Sequence, residues 1–247
     1  MKKETSLIIR KYRSTYLGEL GTTASHQHGA LVLLIGLSGR IRLHFQGGPS
    51  IDCYSALIDA GVAHSLDPQG ERIATIYSEV SSPETLLLRS LYLQSQPYAF
   101  DVIKPSIFLH RSEQKILNFD LISMLGLNRL DSLPSLDSRV VRCIELLNTP
   151  AYFSAGQIAI AEQVQLSASR LNHLFKQGTG VSYRRYRLWS QLAFFMRNVK
   201  CTNNLTESAL NSGFFDASHL SNSYRKLFGI SPAGLLKGLD HFEVDLN

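Results

Sequence analysis

The sequence predicts an α+β protein of two domains: a small antiparallel β-barrel with following helices, and an all-α domain built from a helical unit that occurs twice. Residues 30–78 carry short apolar stretches separated by glycine turns, which is typical of strands. After residue 83, leucines recur every three or four residues, which is typical of helices. In the last third, the pattern around Phe175 returns 49 residues later around Tyr224, and such a repeat indicates a duplicated supersecondary unit.

Four strands are predicted in the N-terminal domain, at residues 31–35, 41–45, 56–58 and 73–77. The second of them alternates apolar with polar side chains, so we expect its apolar side chains inside and His44 on its outer face. Ser38-Gly39 and Gly47-Gly48 predict turns. Short strands with glycine turns predict a small antiparallel barrel or sandwich.

Helices are predicted to follow the barrel and to lead into the second domain. Pro83 opens a leucine-rich helix to about residue 94, because proline is favoured at the first helical position. A second stretch of helical periodicity covers residues 112–125, and the polar, proline-containing segment after it predicts a linker. We therefore divide the chain into a first domain at residues 1–130, a linker at 131–137 and a second domain at 138–240, with Asp137 opening its first helix.

The first copy of the helical unit pairs two short helices. Ile158, Ala161 and Val164 recur every three residues and predict one side of the first helix. A break follows at Gln165, and Ser167 is expected to cap the second helix because its hydroxyl can accept a free backbone N–H. That second helix is expected to bury one apolar face, formed by Leu171, Leu174 and Phe175.

The second copy repeats this order. Asn204 opens it with an Asn-x-x-Glu variant of the capping box. Gly213 supplies the turn, and Asp216 caps the second helix, which is expected to bury Leu220 and Tyr224. Two short helices joined by a tight turn, the second with small polar residues outward, form the helix-turn-helix arrangement that lays a helix in the major groove of DNA.

A longer helix over residues 182–198 separates the two units and is expected to set the distance between their outward helices, about 34 Å for successive major grooves. Its Trp189 is expected in the core.

The exposed side chains of the two units suggest two kinds of DNA contact. Asn can pair bidentately with adenine, and Ser can hydrogen-bond to several bases, whereas Arg and Lys bind phosphates. The residues expected to contact base edges are Ser169, Asn172, His173, Ala217, Ser218, Ser221 and Asn222. Those expected to contact phosphates are Arg170, Lys176, Arg184, Arg185, Arg225 and Lys226.

One pattern joins the two copies of the helical unit, at residues 166–175 and 178–180 of the first copy and residues 205–214 and 216–232 of the second. This joint pattern resembles the AraC/XylS family of bacterial transcription regulators. Three positions depart from the family pattern. Gln165 stands where a turn glycine is usual, Ser208 replaces an apolar residue and Asn222 replaces a frequent Arg. Gln165 predicts strain or a changed bend at the turn, and Asn222 predicts a different base preference.

The resemblance implies a regulator that binds double-stranded DNA and is not an enzyme. Many members carry a cupin-type sensor domain, and the order and spacing of the N-terminal strands are similar to it. Helices outside that domain often form the dimer contact in the family. The resemblance therefore implies a dimer contact for the helices predicted at 83–94 and 112–125, and the alternative is that these helices simply pack against the barrel. RNA polymerase is a further implied partner if the protein is an activator.

The basic charge of the chain is concentrated in the second domain. The formal net charge is +5, of which residues 1–136 carry 13 Lys+Arg and 12 Asp+Glu, or +1, and residues 137–239 carry 12 and 5, or +7. Positive charge in the second domain is what binding to a phosphate backbone requires.

The apolar run at residues 7–9 is too short for a signal peptide and no run approaches a membrane span, so a cytoplasmic protein is expected. Cys53, Cys143 and Cys201 have no metal-type spacing and are expected to be reduced thiols.

Three histidines of the first domain form a candidate effector or metal site. His26 and His28 are two residues apart, and His64 follows Gly61 by three. This arrangement is similar to that of metal-binding cupins, which also carry a His-x-His pair and a later Gly-x-x-His segment. In those cupins a Glu follows the pair, and this chain has no Glu at that place. Three neutral imidazoles could hold a divalent transition metal with one open position. The alternatives are a metal-free effector pocket and a structural role.

These observations predict a sequence-specific transcription regulator, homodimeric, whose sensor domain responds to a small-molecule or metal effector. Two alternatives stay open. One is a constitutive regulator whose barrel only dimerises, and the other is a metal-dependent cupin enzyme fused to a DNA-binding module.

Overall fold

The computed structural model describes residues 4–103, Leu117, 135–199 and 204–246. In these ranges ten strands form two sheets. The strands are β1 (Ser6–Ile9), β2 (Arg13–Glu19), β3 (Leu31–Gly36), β4 (Ile41–Phe45), β5 (Ser50–Cys53), β6 (Ser55–Ile58), β7 (His64–Asp67), β8 (Arg72–Ser78), β9 (Tyr98–Phe100) and β10 (His241–Val244).

The larger sheet has the order β10-β1-β2-β8-β3-β6-β9, and the smaller sheet has the order β5-β4-β7. Neighbouring strands are antiparallel except β1 and β10, which pair in parallel with Ser6 opposite His241. The segment after the helical domain therefore returns to the first strand of the N-terminal domain. Among the described strands the two sheets stay separate, so the predicted cupin-like domain is an open pair of sheets.

The four strands predicted from the sequence are β3, β4, β6 and β8, and His44 is exposed on β4 as predicted. The other strands were not predicted. β1 consists of four buried residues and shows no alternation, and β10 is defined by its pairing with a strand more than 230 residues away. Strand pairing over such a separation leaves no local pattern in the sequence.

One helix of the N-terminal domain is described, α1 (Pro83–Leu88). The hydroxyl of Ser82 accepts from the backbone N–H of Thr85, and the helix continues as one π-helical turn over Arg89–Leu93. The predicted helix at 83–94 is therefore present. Of the helix predicted at 112–125 the structure describes only Leu117, which is helical and buried. Most of the linker at 131–137 and Cys201 lie outside the described residues.

The C-terminal domain is helical. Its helices are α2 (Ser138–Leu147), α3 (Gln157–Gln163), α4 (Ala168–Thr179), α5 (Tyr183–Asn198), α6 (Leu205–Asn211), α7 (Ala217–Phe228) and α8 (Pro232–Lys237). The predicted caps are present: Ser167 accepts from the N–H of Arg170, Asp216 from that of His219, and Asp137 opens α2. No helix within the described ranges combines the length and the apolar character that crossing a membrane requires.

The predicted inner face of α3 was wrong at one position. Ile158 is 68% exposed, and the residues that point inward are Ile160, Ala161 and Val164. A helix turns about 100° per residue, so a spacing of three drifts about 60° per step and residues 158 and 164 cannot share a face. Ile160, Ala161 and Val164 follow the spacing that keeps side chains on one side.

The two domains share one apolar core. Because side chains alternate along a strand, β3 sends Val32 and Leu34 into the core that includes the C-terminal helices, and Leu31 and Leu33 into a second core beside α1. Gly29, just before β3, allows a close approach of the two domains, because a Cβ there would clash with the Cβ of Trp189 on α5. The helical domain is thus packed directly on the large sheet.

Candidate nucleic-acid interface and the cavity behind it

Each helix-turn-helix unit buries one face of its second helix and leaves the other face polar. In α4, Leu171 and Phe175 are fully buried, and in α7, Leu220 and Tyr224 are buried. Leu174, predicted to be buried with them, is half-buried. Both helices end at a glycine in the left-handed conformation, which closes the last turn and allows the chain to turn away.

The residues predicted to contact DNA lie on the outer faces of α4 and α7, apart from Arg184 and Arg185 at the start of α5. Three are half-buried, Arg185, Ala217 and Ser221. The exposed ones are Ser169, Arg170, Asn172, His173, Lys176, Arg184, Ser218, Asn222, Arg225 and Lys226. The arginines at the start of α5 differ from one another. Burial lowers the pKa of the half-buried Arg185 guanidinium, and Arg184 is the more accessible of the two.

Sequence analysis did not single out Phe215, whose side chain is 84% exposed in the turn before α7. It follows the buried Phe214, which packs on the ring of His219 at 5.4 Å. Two adjacent aromatic residues carry no periodicity that would have separated the buried ring from the exposed one. Phe215 stands beside the N-terminal end of α7, the end of a recognition helix that meets base edges.

The C-terminal end of α4 is held by the N-terminal domain through Arg89. The Nε of Arg89 donates to the carboxylate of Asp59 at 2.7 Å, and its Nη2 donates to the carbonyl of Thr179, the last residue of α4, at 2.6 Å. A cation at this position satisfies a free carbonyl of the helix end and complements the helix dipole. Gly61 lies against the same end of the helix. A Cβ built on Gly61 would stand 3.4 Å from the carbonyl oxygen of Gly180.

The C-terminal end of α7 is held by a different part of the same domain. Gly229, which ends α7, packs on the segment before β3: a Cβ on it would come within 2.7 Å of the carbonyl oxygen of Ala24, 2.9 Å of the Cβ of Thr23 and 2.9 Å of Nδ1 of His26. Both outward helices therefore rest their C-terminal ends on the N-terminal domain.

A third contact, at Glu79, joins the domains at α5. Burial raises the pKa of the Glu79 carboxyl, and hydrogen bonds from Tyr186 and Trp189 of α5 act in the opposite direction. The hydroxyl of Tyr186 also accepts from the side-chain amide of Asn148 at 3.2 Å. Neither Arg89 nor Glu79 was predicted to matter, because contacts between residues so distant along the chain leave no spacing signal.

The three predicted histidines come together. The ring centroids of His26, His28 and His64 lie 4.5, 4.6 and 5.2 Å apart, and all three residues are buried. His26 and His64 exchange two backbone hydrogen bonds, of 2.9 and 3.0 Å, so the segment of His26 extends the small sheet beside β7. The Nε2 atoms of His26 and His28 lie 3.0 Å apart.

The three imidazoles are held in their neutral form. Burial, together with the proximity of His26, lowers the pKa of His64 to about 4. Burial also lowers the pKa of His26, and it lowers that of His28 well below its usual value, aided by the other two rings. The carbonyl of Leu227, on α7, acts on His28 in the opposite direction.

The histidines line a cavity of about 80 Å³ between the large sheet and the helices, room for a few water-sized molecules. Its other walls are mainly apolar and aromatic. Trp189 and Phe228 of the helices face Tyr77 of β8, with ring centroids 5.7 Å from Tyr77 in both cases. Residues of both domains thus surround one space, and Trp189, a core residue as predicted, forms part of its wall.

Comparison with known proteins matches residues 160–238 to a family described as a helix-turn-helix domain. The chain is 27% identical over 157 residues to the arabinose operon regulatory protein of Escherichia coli (strain K12), covering 59% of this chain and 53% of that protein. It is 37% identical over 87 residues to the transcriptional activator RhaS of E. coli O139:H28, covering 34% of this chain and 31% of that protein. The chain spans about half the length, or less, of these curated relatives.

Two solved structures of ToxT from Vibrio cholerae have the same fold over nearly the whole chain. One covers 93% of this chain and 100% of its own, with a TM-score of 0.59 and 13% identity. The other, wild-type ToxT from strain SCE256 with a bound unsaturated fatty acid, covers 97% and 98%, with a TM-score of 0.59 and 14% identity. At this identity the likeness establishes the two-domain fold, a sheet-rich N-terminal region followed by a helical helix-turn-helix domain.

Proposed function

Since the chain belongs to the AraC/XylS family of transcription regulators through its helix-turn-helix domain, we propose that it is a sequence-specific DNA-binding regulator whose N-terminal domain responds to an effector. The observation that carries this proposal is the pair of capped helices, α4 and α7, whose outer faces are polar in a segment of formal charge +7. The named relatives are regulators, which argues against the alternative of a fused enzyme.

The proposed contacts divide by chemistry. Asn172 and Asn222 are outward residues near the middle of α4 and α7, where an amide side chain can pair with adenine. The smaller Ser and Ala side chains around them allow the helix to approach the bases. Arg170, Lys176, Arg225 and Lys226 supply phosphate contacts, which position the protein without reading sequence. Phe215 is added to the predicted set, because an exposed ring there can contact a thymine methyl group.

The proposed route from effector to DNA runs through the contacts that hold the two helix ends. The cavity lies between the large sheet and α5, and its wall includes Phe228 at the end of α7. A ligand too large for this cavity must separate the sheet from the helices to enter. Such a movement would change the contacts at Gly229 and Arg89, and with them the relative placement of the two reading helices.

The proposed effector is a mainly apolar organic molecule. The walls of the cavity are aromatic and aliphatic, and the polar groups among them include the histidines and the hydroxyl of Tyr77. Burial raises the pKa of that hydroxyl, which keeps it neutral and able to donate a hydrogen bond. The unsaturated fatty acid named for ToxT belongs to this chemical class. A constitutive regulator is the alternative, and it predicts DNA binding that no such ligand changes.

We further propose the domain division given above, action in the cytoplasm, and a homodimer whose contact involves the segments at 83–94 and 112–125. Contact with RNA polymerase follows if the protein is an activator.

The experiment that tests the function is competition by duplex DNA in fluorescence anisotropy. Random duplexes should bind with dissociation constants of about a micromolar or weaker, with affinity falling steeply as salt rises, and a duplex from the protein's own promoter region should compete far better. The variant Lys176→Ala should weaken binding to every sequence, whereas the charge-matched control Lys11→Ala should not. If no promoter duplex competes better than random DNA, sequence-specific regulation is wrong.

A further inference from the structure

The buried histidine cluster of His26, His28 and His64 brings a ring nitrogen of each side chain close to those of the other two. The Nδ1 of His26 lies 2.7 Å from the carbonyl of Ala24, and the Nδ1 of His64 lies 3.0 Å from the carbonyl of Val62. A carbonyl only accepts, so both Nδ1 atoms carry the proton, and both Nε2 atoms carry a lone pair. One potential ligand nitrogen from each of the three side chains lies within 4.8 Å of the others.

Without a bound cation, the ring nitrogens of the three neutral imidazoles cannot all find hydrogen-bond partners among one another. The Nε2 of His64 has no hydrogen-bond partner in the described part of the chain. If His28 carries its proton on Nδ1, its Nε2 lone pair faces that of His26 at 3.0 Å. If it carries the proton on Nε2, the lone pair on its buried Nδ1 has no donor among the described residues, since the Leu227 carbonyl beside the ring only accepts. Unpaired buried nitrogens are costly: the first tautomer leaves the Nε2 lone pairs of all three rings without a donor, and the second leaves Nδ1 of His28 and Nε2 of His64 without one.

We propose that His26, His28 and His64 bind one divalent transition-metal ion of the zinc class through three imidazole nitrogens, leaving one coordination position open to the cavity. Two nitrogens bound at about 2.0–2.1 Å in near-tetrahedral geometry lie about 3.3 Å apart, close to the 3.0 Å observed between His26 and His28. The hydrogen bonds to Ala24 and Val62 are the kind of outer contacts that orient metal-binding histidines. Three nitrogen ligands without a carboxylate favour zinc, copper or nickel over magnesium or calcium.

The position of this site gives the metal a regulatory role. His26 packs on Gly229 at the end of α7, and the ring of His28 lies 5.6 Å from that of Phe228, the last residue of α7. A metal ion that draws the three rings together therefore acts on the contact that seats the second reading helix. This regulatory consequence rests on the proposed function, whereas metal binding does not.

The test is titration of the full-length protein, purified without metal-affinity steps and treated with chelator, with Co²⁺ and then Zn²⁺. Visible absorption of bound Co²⁺ reports the ligand geometry, and elemental analysis after dialysis reports the stoichiometry. One equivalent is expected. The near-isosteric variants His64→Gln and His26→Gln should bind at least about tenfold more weakly. The control His44→Gln, on the exposed face of β4, should bind like the wild type.

A second measurement keeps the proposal falsifiable if the variants fold poorly. Nitrogen NMR of histidine side chains in the wild-type protein should show three Nε2 resonances that shift on addition of one equivalent of Zn²⁺. The proposal is wrong if wild-type protein takes up no metal, if no histidine resonance shifts, or if folded His64→Gln binds Co²⁺ as tightly as the wild type. None of these readouts involves DNA, so their failure is distinct from a failure of sequence-specific DNA binding.

Discussion

Gly229, the left-handed residue that ends α7, lies directly against His26, so that a Cβ on it would stand 2.9 Å from the Nδ1 of that imidazole. The second reading helix therefore ends on a member of the histidine cluster. This contact links the cavity between the domains to the helix that is proposed to read DNA, and its geometry leaves room for no side chain larger than hydrogen.

Replacing Gly229 by alanine should destabilise the protein by about 2 kcal/mol or more, since left-handed backbone strain adds to the clash with Ala24 and His26. Gly70→Ala is the matched control, because its φ of +80° is similar and nothing lies within 4 Å of its Cβ. It should lose only the backbone contribution, about 1 kcal/mol. Thermal unfolding of both variants measures the difference. Equal losses would mean that the contact with His26 is not tight.

Arg89→Ala should loosen the end of α4. The substitution removes an ion pair whose side chains are 17% and 24% exposed and leaves the carbonyl of Thr179 without its donor. Hydrogen exchange should become faster in the last turn of α4, with a loss of stability of about 1–3 kcal/mol. The control is Arg42→Ala, whose pair with Asp52 is more exposed and should contribute little to stability. Unchanged exchange at the end of α4 would show that Arg89 does not hold it.

Gln165→Gly should stabilise the first helix-turn-helix unit. Gln165 has a φ of +56°, a left-handed conformation that glycine adopts without strain, and Gly213 has the same role in the second unit. We expect a gain of about 1 kcal/mol in the free energy of unfolding. The same substitution at Gln163, within α3, should instead cost about 0.5–1 kcal/mol. A loss of stability in Gln165→Gly would contradict strain at this turn.

Stability should fall on acidification between about pH 7 and pH 4, in buffer that contains a chelator. The pKa of His64 is lowered to about 4 in the folded protein, and an unfolded histidine titrates near 6.5. Between these values the unfolded chain binds a proton that the folded chain does not, so the free energy of unfolding decreases as the pH falls and levels off below pH 4. Melting temperatures against pH should show a flatter slope for His64→Gln than for the wild type. Equal slopes for His64→Gln and the wild type would contradict this prediction.

Local patterns predicted those parts of the fold that depend on neighbouring residues. The glycine turn before β5 and the caps Ser167 and Asp216 are set by adjacent side chains, and they are present. The strand β10 and the contact of Arg89 with Thr179 depend on pairing between distant segments, which no local pattern records. The three histidines were correctly grouped, since two of them lie two residues apart. Their contact with α7 could not be predicted, because it depends on how the domains pack.

The most direct measurement for the central claim is hydroxyl-radical footprinting of the protein on a cognate duplex, beside Asn172→Ala and Asn222→Ala. The account predicts two protected segments on one face of the duplex, about 10–10.5 base pairs apart, with each variant losing discrimination in a different segment. A single protected segment, or two segments of which neither responds to Asn172→Ala and Asn222→Ala, would contradict the claim that α4 and α7 read successive major grooves.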